Sequence, residues 1–197
     1  MFDFSKDYFL ENEFVHLRPL TTTDANVLSE VAKDTEIWRY LFERGTTKEQ
    51  LVNYIAAAIE LRNHQLAYPF AVIDKQKNKL AGTTRLYDLH ENFKVTKLGH
   101  TWYGKEFRGT YLNKHTKFLL FQFIFDTLGL ERVGFGVHSQ NSRSINALIS
   151  VGCNIEGKLE SFMPAIDGKT RADIILLRLL KNEWQTTVKT NLRAKLT

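Results

Sequence analysis

The sequence predicts an α+β fold, and three observations predict it. Apolar residues recur at helical spacing over 24–33 and 47–63, they alternate in strand-like runs from 68 onward, and two closing runs flank a turn at 167–169. Written loosely, the order is ββ, αα, βββ, α, β, α, ββ, with runs of strands beside segregated helices. A chain of 197 residues, 43% hydrophobic with three prolines, is long enough for one sizeable core. It is read as a single domain over 1–197.

EFVHLRPL at 13–20 places Phe14, Val15, Leu17 and Leu20 around His16 and Arg18 and ends near Pro19, which suits a strand near a sheet edge. Thr22 or Thr23 is positioned to cap a helix over 24–33. A second helix over 47–63 carries Leu51, Ile55, Ala58 and Ile59 on one face, and Thr47 with Gln50 forms a capping box. YPFAVID (68–74), LAGTTRLYDL (80–89) and VTKLGHTWYG (95–104) form a meander, the first two joined by the charged turn KQKNK. A helix from 111 ends near Gly129, ERVGFGVHS (131–139) is a further strand, and NSRSINALISVG (141–152) is a short helix with Gly152 as its C-terminal cap. IEGKLESFMP and RADIILLRLL close the chain as a hairpin around DGK.

Composition excludes several function classes. Lys and Arg number 27 against 22 Asp and Glu, a formal charge of +5 without the dense basic stripe of a nucleic-acid binder. Part of that charge is the C-terminal group Lys181, Lys189, Arg193 and Lys195, which reads as a solvated basic tail. The N-terminal MFDFSKDYFLENE is acidic and aromatic, unlike an export signal, and no apolar run is long enough for a membrane span. The single Cys153 cannot form an internal disulfide, and no CxxC or HExxH spacing would hold zinc, so no metal and a cytoplasmic location are expected.

FRGTYLNKHTKFLLFQF (107–123) follows a strand with a short loop containing Arg108 and Gly109 and then enters a helix. Free backbone N–H groups at such a helix start suit a pyrophosphate, although many ordinary turns look the same. Context supplies the distinction. VHLRPL, LGHTWYGKEFRGTYLNKHTK, NSRSINALISVGCNIEGKL and DGKTRADIILLRLLKNEW occur in order over about 13–184. In this arrangement the chain resembles the GNAT acyltransferases, especially the branch containing the RimJ and RimL type protein N-terminal acetyltransferases.

The resemblance implies a mixed, mostly antiparallel central sheet whose fourth and fifth strands splay apart, flanked by helices, with acetyl-CoA as cosubstrate in the opening. Pantetheine would run along the strand edge at Trp102 and Tyr103, and pyrophosphate would meet Arg108, Gly109, Thr110 and Asn113. Tyr111 departs from the usual pattern, standing where glycine is common; Phe107, Gly109, Thr110, Asn113 and Lys117 fit a subgroup with an aromatic, a GT pair, Asn and Lys. Asn141 and Ser144 match the NxxS pattern at the next helix entry, where capping and cofactor contact can coexist.

Acyl transfer needs a neutral amine, oxyanion stabilisation and a proton for the leaving thiolate. The carboxylate often found beside the fourth strand has no obvious counterpart here, and His100 is the nearest titratable substitute. His100 and Ser144 are therefore the candidate catalytic residues, with His115 and His138 weaker alternatives and Cys153 read as a small core hydrophobe. An α-amine with a pKa near 8 is roughly a tenth neutral at pH 7, whereas a lysine amine is far below one percent neutral. That favours a protein N-terminus, amino acid or small amine as the acceptor. The competing class is a non-catalytic CoA-binding or regulatory module of the same fold. The phenylalanines at 118, 121 and 125 leave two partners open, the C-terminal segment or a second subunit in a homodimer.

Overall fold

In a computed structural model, which describes residues 2–41, 43–165 and 167–196, the chain forms an eight-stranded sheet with a hydrophobic core on each face. A short strand β1 (Leu10–Glu11) and β2 (Val15–Pro19) precede α1 (Asp24–Ala32), a single turn α2 (Thr35–Trp38) and α3 (Lys48–Asn63). The meander β3 (Ala67–Asp74), β4 (Lys79–His90) and β5 (Val95–Tyr103) follows, and a 3-10 turn at Lys105–Phe107 leads into α4 (Leu112–Gln122). Next come β6 (Arg132–His138), α5 (Ser142–Ser150), β7 (Asn154–Pro164) and β8 (Arg171–Leu180). A C-terminal arm ends the chain as α6 (Lys181–Glu183), a π-helical turn (Trp184–Val188) and α7 (Lys189–Arg193).

The strand order is β1-β2-β3-β4-β5-β6-β8-β7, antiparallel at every junction except the parallel β5–β6 pair. This is the mixed, mostly antiparallel sheet expected from the sequence. Alternation in β3 explains the two cores: Tyr68, Phe70 and Val72 face the layer of α4, while Ala71 faces the layer of α1 and α3. The α3 helix forms as its pattern predicts. Leu51, Tyr54, Ile55 and Ala58 are buried along one stripe, Gln50 N–H donates to Thr47 Oγ1 at 3.2 Å, and Thr47 N–H donates back to Gln50 Oε1 at 3.3 Å.

Two expectations need correction. Thr23 stands at the N-cap of α1, yet neither it nor Thr22 caps the helix through its side chain. The Asp24 carboxylate takes the polar role instead, accepting from Thr21 N–H at 2.8 Å and from both Arg18 terminal nitrogens at 2.8 and 2.6 Å. Burial would raise this carboxyl, but the Arg18 guanidinium holds it low, and a charged pair outcompetes a neutral hydroxyl.

The second correction is the C-terminal arm, which is a packed element and not a solvated tail. Trp184 and Leu192, two helical turns apart, are buried. The Trp184 ring lies 5.5, 5.9 and 6.1 Å from those of Phe118, Phe121 and Phe125, so the surplus phenylalanines of the central helix meet this arm. Its indole N–H donates to Asp126 Oδ1 at 3.1 Å, and Lys189 pairs with the other oxygen at 2.6 Å. The basic residues thus find partners along the seam, and Arg193 lies 5.4 Å over the Phe118 ring. Among the described residues, no helix is long and apolar enough to cross a membrane.

Candidate active site

The site begins where the sheet fails to continue. Strands β5 and β6 pair only at Val95 with Arg132, Thr96 with Val133 and Lys97 with Gly134. Beyond that point β5 bulges against β4: the register passes from Arg85 opposite Gly99 to Thr83 opposite Trp102, and His100 takes φ +48°. A left-handed residue at a bulge bends its strand, so β5 turns from β6 while β6 stays paired with β8 as far as His138. Counted without the two-residue β1, these are the fourth and fifth strands expected to splay, and one edge of Gly99–Tyr103 has no strand partner.

The bulge also sorts side chains between two faces. His100 and Trp102 point toward the layer of α3. Trp102 donates its indole N–H to Tyr54 Oη at 3.3 Å and lies 5.5 Å from Trp38, so its ring serves the core while its backbone lies on the open edge. His100 Nδ1 stands 3.2 Å from Glu43 Oε1, an ion-pair distance without a hydrogen bond's alignment. That contact is the main reason the Glu43 carboxyl is lowered, against the opposing effect of burial. A cleft of about 400 Å³ opens here, bounded by Glu43, Arg85, Tyr87, His90, His100 and the end of α3. Burial pushes the Tyr87 phenol to about 12, which leaves it a neutral wall for the His100 ring, 5.5 Å away and edge-on.

On the other face, Thr101 meets α4. Lys117 Nζ donates to Thr101 Oγ1 at 3.3 Å, and Thr101 Oγ1 is 2.7 Å from Thr84 Oγ1. Lys117 is 4% exposed and lies 5.9 Å from the centre of the Phe135 ring, just past the last β5–β6 pair, at the base of the opening. Desolvation pulls its ammonium down to about 8. Cys153 is buried nearby, its thiol pushed up to about 12, and is a core residue as expected.

At the mouth of the opening the 3-10 turn leads to Gly109 at φ +73°, where an added Cβ would meet nothing within 4 Å. Thr110 Oγ1 donates to Phe107 O at 2.8 Å and accepts from Leu112 N–H at 3.3 Å. The N–H groups of Gly109, Thr110, Tyr111, Asn113 and Lys114 meet no acceptor among the described residues. Tyr111, anomalous by its sequence position, is held to one side: its hydroxyl donates to the Asp74 carboxylate at 2.8 and 2.9 Å, and its ring packs 5.4 Å from Phe14. Desolvation first, and then the Asp74 charge, push that phenol to about 12.

The remaining predicted residues divide around this opening. Tyr103 Oη donates to Asn113 Oδ1 at 3.4 Å, joining the strand edge to the helix start. Arg108 is engaged by the protein itself: its Nε–H donates to Tyr103 O at 2.9 Å and Nη2 lies 2.9 Å from Asp34 Oδ2. Asn141 caps α5 by accepting from Ser144 N–H at 3.1 Å, while the half-buried Ser144 hydroxyl meets no partner among the described residues. His138 Nδ1 accepts from Gln140 N–H at 3.2 Å, which places the proton on Nε2, and burial holds the ring neutral. His115 lies between Phe14 and Asn12, away from the open edge. Glu43 and Arg85 belong to the cleft but carry no local sequence signal.

A sheet that opens between parallel neighbours, with the free N–H groups of a helix start at its mouth, defines the class of protein: this is the GNAT fold, the scaffold of acetyltransferases. Residues 15–154 match the model of the acetyltransferase (GNAT) domain, and the chain belongs to that family. It is similar to the uncharacterized N-acetyltransferase p20 of Bacillus licheniformis, 28% identical over 181 residues that cover 89% of this chain and 97% of the relative. Its fold is similar to a GCN5-related N-acetyltransferase from Brucella melitensis, with a TM-score of 0.88 at 25% identity over 98% of this chain and 86% of that one. It is also similar to Mycobacterium smegmatis RimJ, solved in complex with CoA-disulfide, at a TM-score of 0.79, 17% identity and coverage of 96% and 93%.

Proposed function

We propose that this acetyltransferase takes its acetyl group from acetyl-CoA and passes it to a primary amine by direct attack in a ternary complex. The observation that carries this reading is the unpaired edge of Gly99–Tyr103 leading to unpartnered N–H groups at the start of α4. Such an edge suits an amide-bearing pantetheine, and a cluster of N–H groups at a helix start suits a pyrophosphate. The bare Gly109 leaves room for close approach. Thr110 and Asn113 stand at the start of α4, Asn141 and Ser144 at the start of α5 that follows β6, and the Arg108 ion pair with Asp34 keeps the loop in place. The CoA-disulfide held by RimJ on the same fold agrees with this assignment.

Acetyl-CoA supplies an activated thioester, and the chain's residues handle the protons. His100 lines the cleft with Glu43 beside it and, in this reading, accepts the proton of the incoming ammonium. Ser144, whose hydroxyl is unengaged among the described residues at the start of α5, returns a proton to the leaving thiolate in this reading. An α-amine suits this arrangement better than a lysine side chain because far less work is needed to neutralise it.

Calorimetric titration with acetyl-CoA, run beside Gly109→Asp, tests the cosubstrate site. Binding that weakens at least about tenfold in the variant is expected from a carboxylate set against a pyrophosphate. Unchanged affinity would refute the placement. Thiol release with N-terminal peptides, amino acids and polyamines tests the transfer, and binding without turnover on any amine would identify a non-catalytic CoA-binding module.

A further inference from the structure

We infer that the cleft beside His100 takes an amine that also bears a carboxylate, a free amino acid being the smallest example, with Arg85 as the carboxylate anchor. This rests on the reading of that cleft as the acceptor site. Arg85 is 5% exposed and lines the cleft, with its guanidinium 5.2 Å over the Tyr54 ring. A guanidinium offers five N–H donors, and among the described residues those of Arg85 make no hydrogen bond; its charge acts at longer range, on the Glu43 carboxyl. Three other buried ionic groups among the described residues have hydrogen-bond partners. Asp24 has Arg18, Asp74 has Tyr111 and the N–H groups of Gln76 and Lys77, and Lys117 has Thr101. Burial without partners is unfavourable for a guanidinium, and planar bidentate pairing with a carboxylate is the arrangement that best relieves it.

The same cleft holds a carboxylate of opposite sign. Glu43 Oε1 is beside His100, whereas its buried Oε2 has no hydrogen-bond partner among the described residues. A carboxylate with one free oxygen and a guanidinium without hydrogen bonds therefore line the cleft together with the proposed base. A zwitterion suits both, its ammonium toward Glu43 and His100 and its carboxylate toward Arg85. The volume of about 400 Å³ accommodates an amino acid with a side chain of ordinary size. Glu43 and Asp88 in the lining disfavour a polyanion, so a single carboxylate is the better match than a phosphate.

The test is a matched series of an amino acid, its amide and its decarboxylated amine, assayed by thiol release with acetyl-CoA and by calorimetry with the amine alone. The acid is expected to exceed the amide in kcat/KM and in affinity by at least about tenfold, because removing the charged acceptor leaves the guanidinium unpaired. Arg85→Gln should collapse that ratio toward one, and Arg85→Lys should restore part of it. Equal handling of acid and amide by the unaltered protein would overturn the inference even if the variants fail to fold. Binding of the acid without turnover would preserve the anchor while refuting the transferase reading. Peptides beginning with Asp and with Ala form a further arm: preference for the former would move the carboxylate from a free amino acid to an acidic N-terminus.

Discussion

One buried cation lies against each face of strands β4 and β5, Lys117 from α4 and Arg85 from β4, and the two are held differently. Lys117 of α4, beneath the opening, lies against Phe135 and Cys153, bonds to Thr101, and has its ammonium drawn down to about 8. Arg85, on the α3 side, is equally covered but stacked on an aromatic ring at the wall of a cleft, with its donors unmet. A lysine can reduce the cost of burial by releasing a proton, whereas a guanidinium keeps its charge and needs an acceptor. The sealed face thus tolerates a titratable charge, and the open face keeps a permanent one where a ligand can reach it.

The comparison can be broken first at its packing. Trp184→Ala, on the sealed face, should lower the unfolding free energy by ~3–5 kcal/mol, measured by urea denaturation, because it empties the site among three phenylalanines. Leu66→Ala, at the cleft and 59% exposed, should change it by no more than ~0.5 kcal/mol. A similar loss for both would mean that the open face is packed as firmly as the sealed one.

Chemistry should show the reverse asymmetry. His100→Ala is expected to reduce thiol release on the preferred amine by ~10²–10⁴-fold, with acetyl-CoA affinity within about twofold. A variant that retains most of its turnover would remove the imidazole from the proton path.

Titration sharpens the difference further. Because Lys117 sits near 8 in the fold against an ordinary value of 10.5, the native state resists its protonation. The associated stability is complete above 10.5 and is lost as pH falls to about 8. The protein should therefore gain up to ~3 kcal/mol between pH 8 and pH 10.5 that Lys117→Met does not gain, read as the difference between their urea midpoints. Parallel pH curves for the two proteins would contradict the buried ammonium. The smallest effect is local: Thr47→Ala should cost about 1 kcal/mol through the lost capping box of α3.

Much of this architecture was legible from residue patterns. Thr47 and Gln50 announced α3, KQKNK announced the β3–β4 turn, and Gly152 marked the end of α5 at φ +99°. The C-terminal arm was hidden by its composition: Thr, Asn and Lys between Trp184 and Leu192 mask an apolar seam spaced by whole turns. The loop at Gly109 was visible because its signal is local. Glu43 and Arg85 were not, since one lies in an irregular connection and the other reads as a routine polar position in a strand. Only tertiary packing puts them in one cleft. Tyr111 looked anomalous where glycine is common, and its partner Asp74, 37 positions earlier, shows why the side chain is accommodated.

The three-pair seam between β5 and β6 divides the sheet into two leaves, β1–β5 and β6–β8, joined by a short line of ladder bonds. A compound spanning the gap acts as a removable strand, supplying contacts that the missing pairs would have made. At a concentration a hundred times its dissociation constant it adds about 2.7 kcal/mol to the folded state. Melting temperature should thus report occupancy of the gap directly, and the mechanical weak line of the molecule becomes its most convenient sensor.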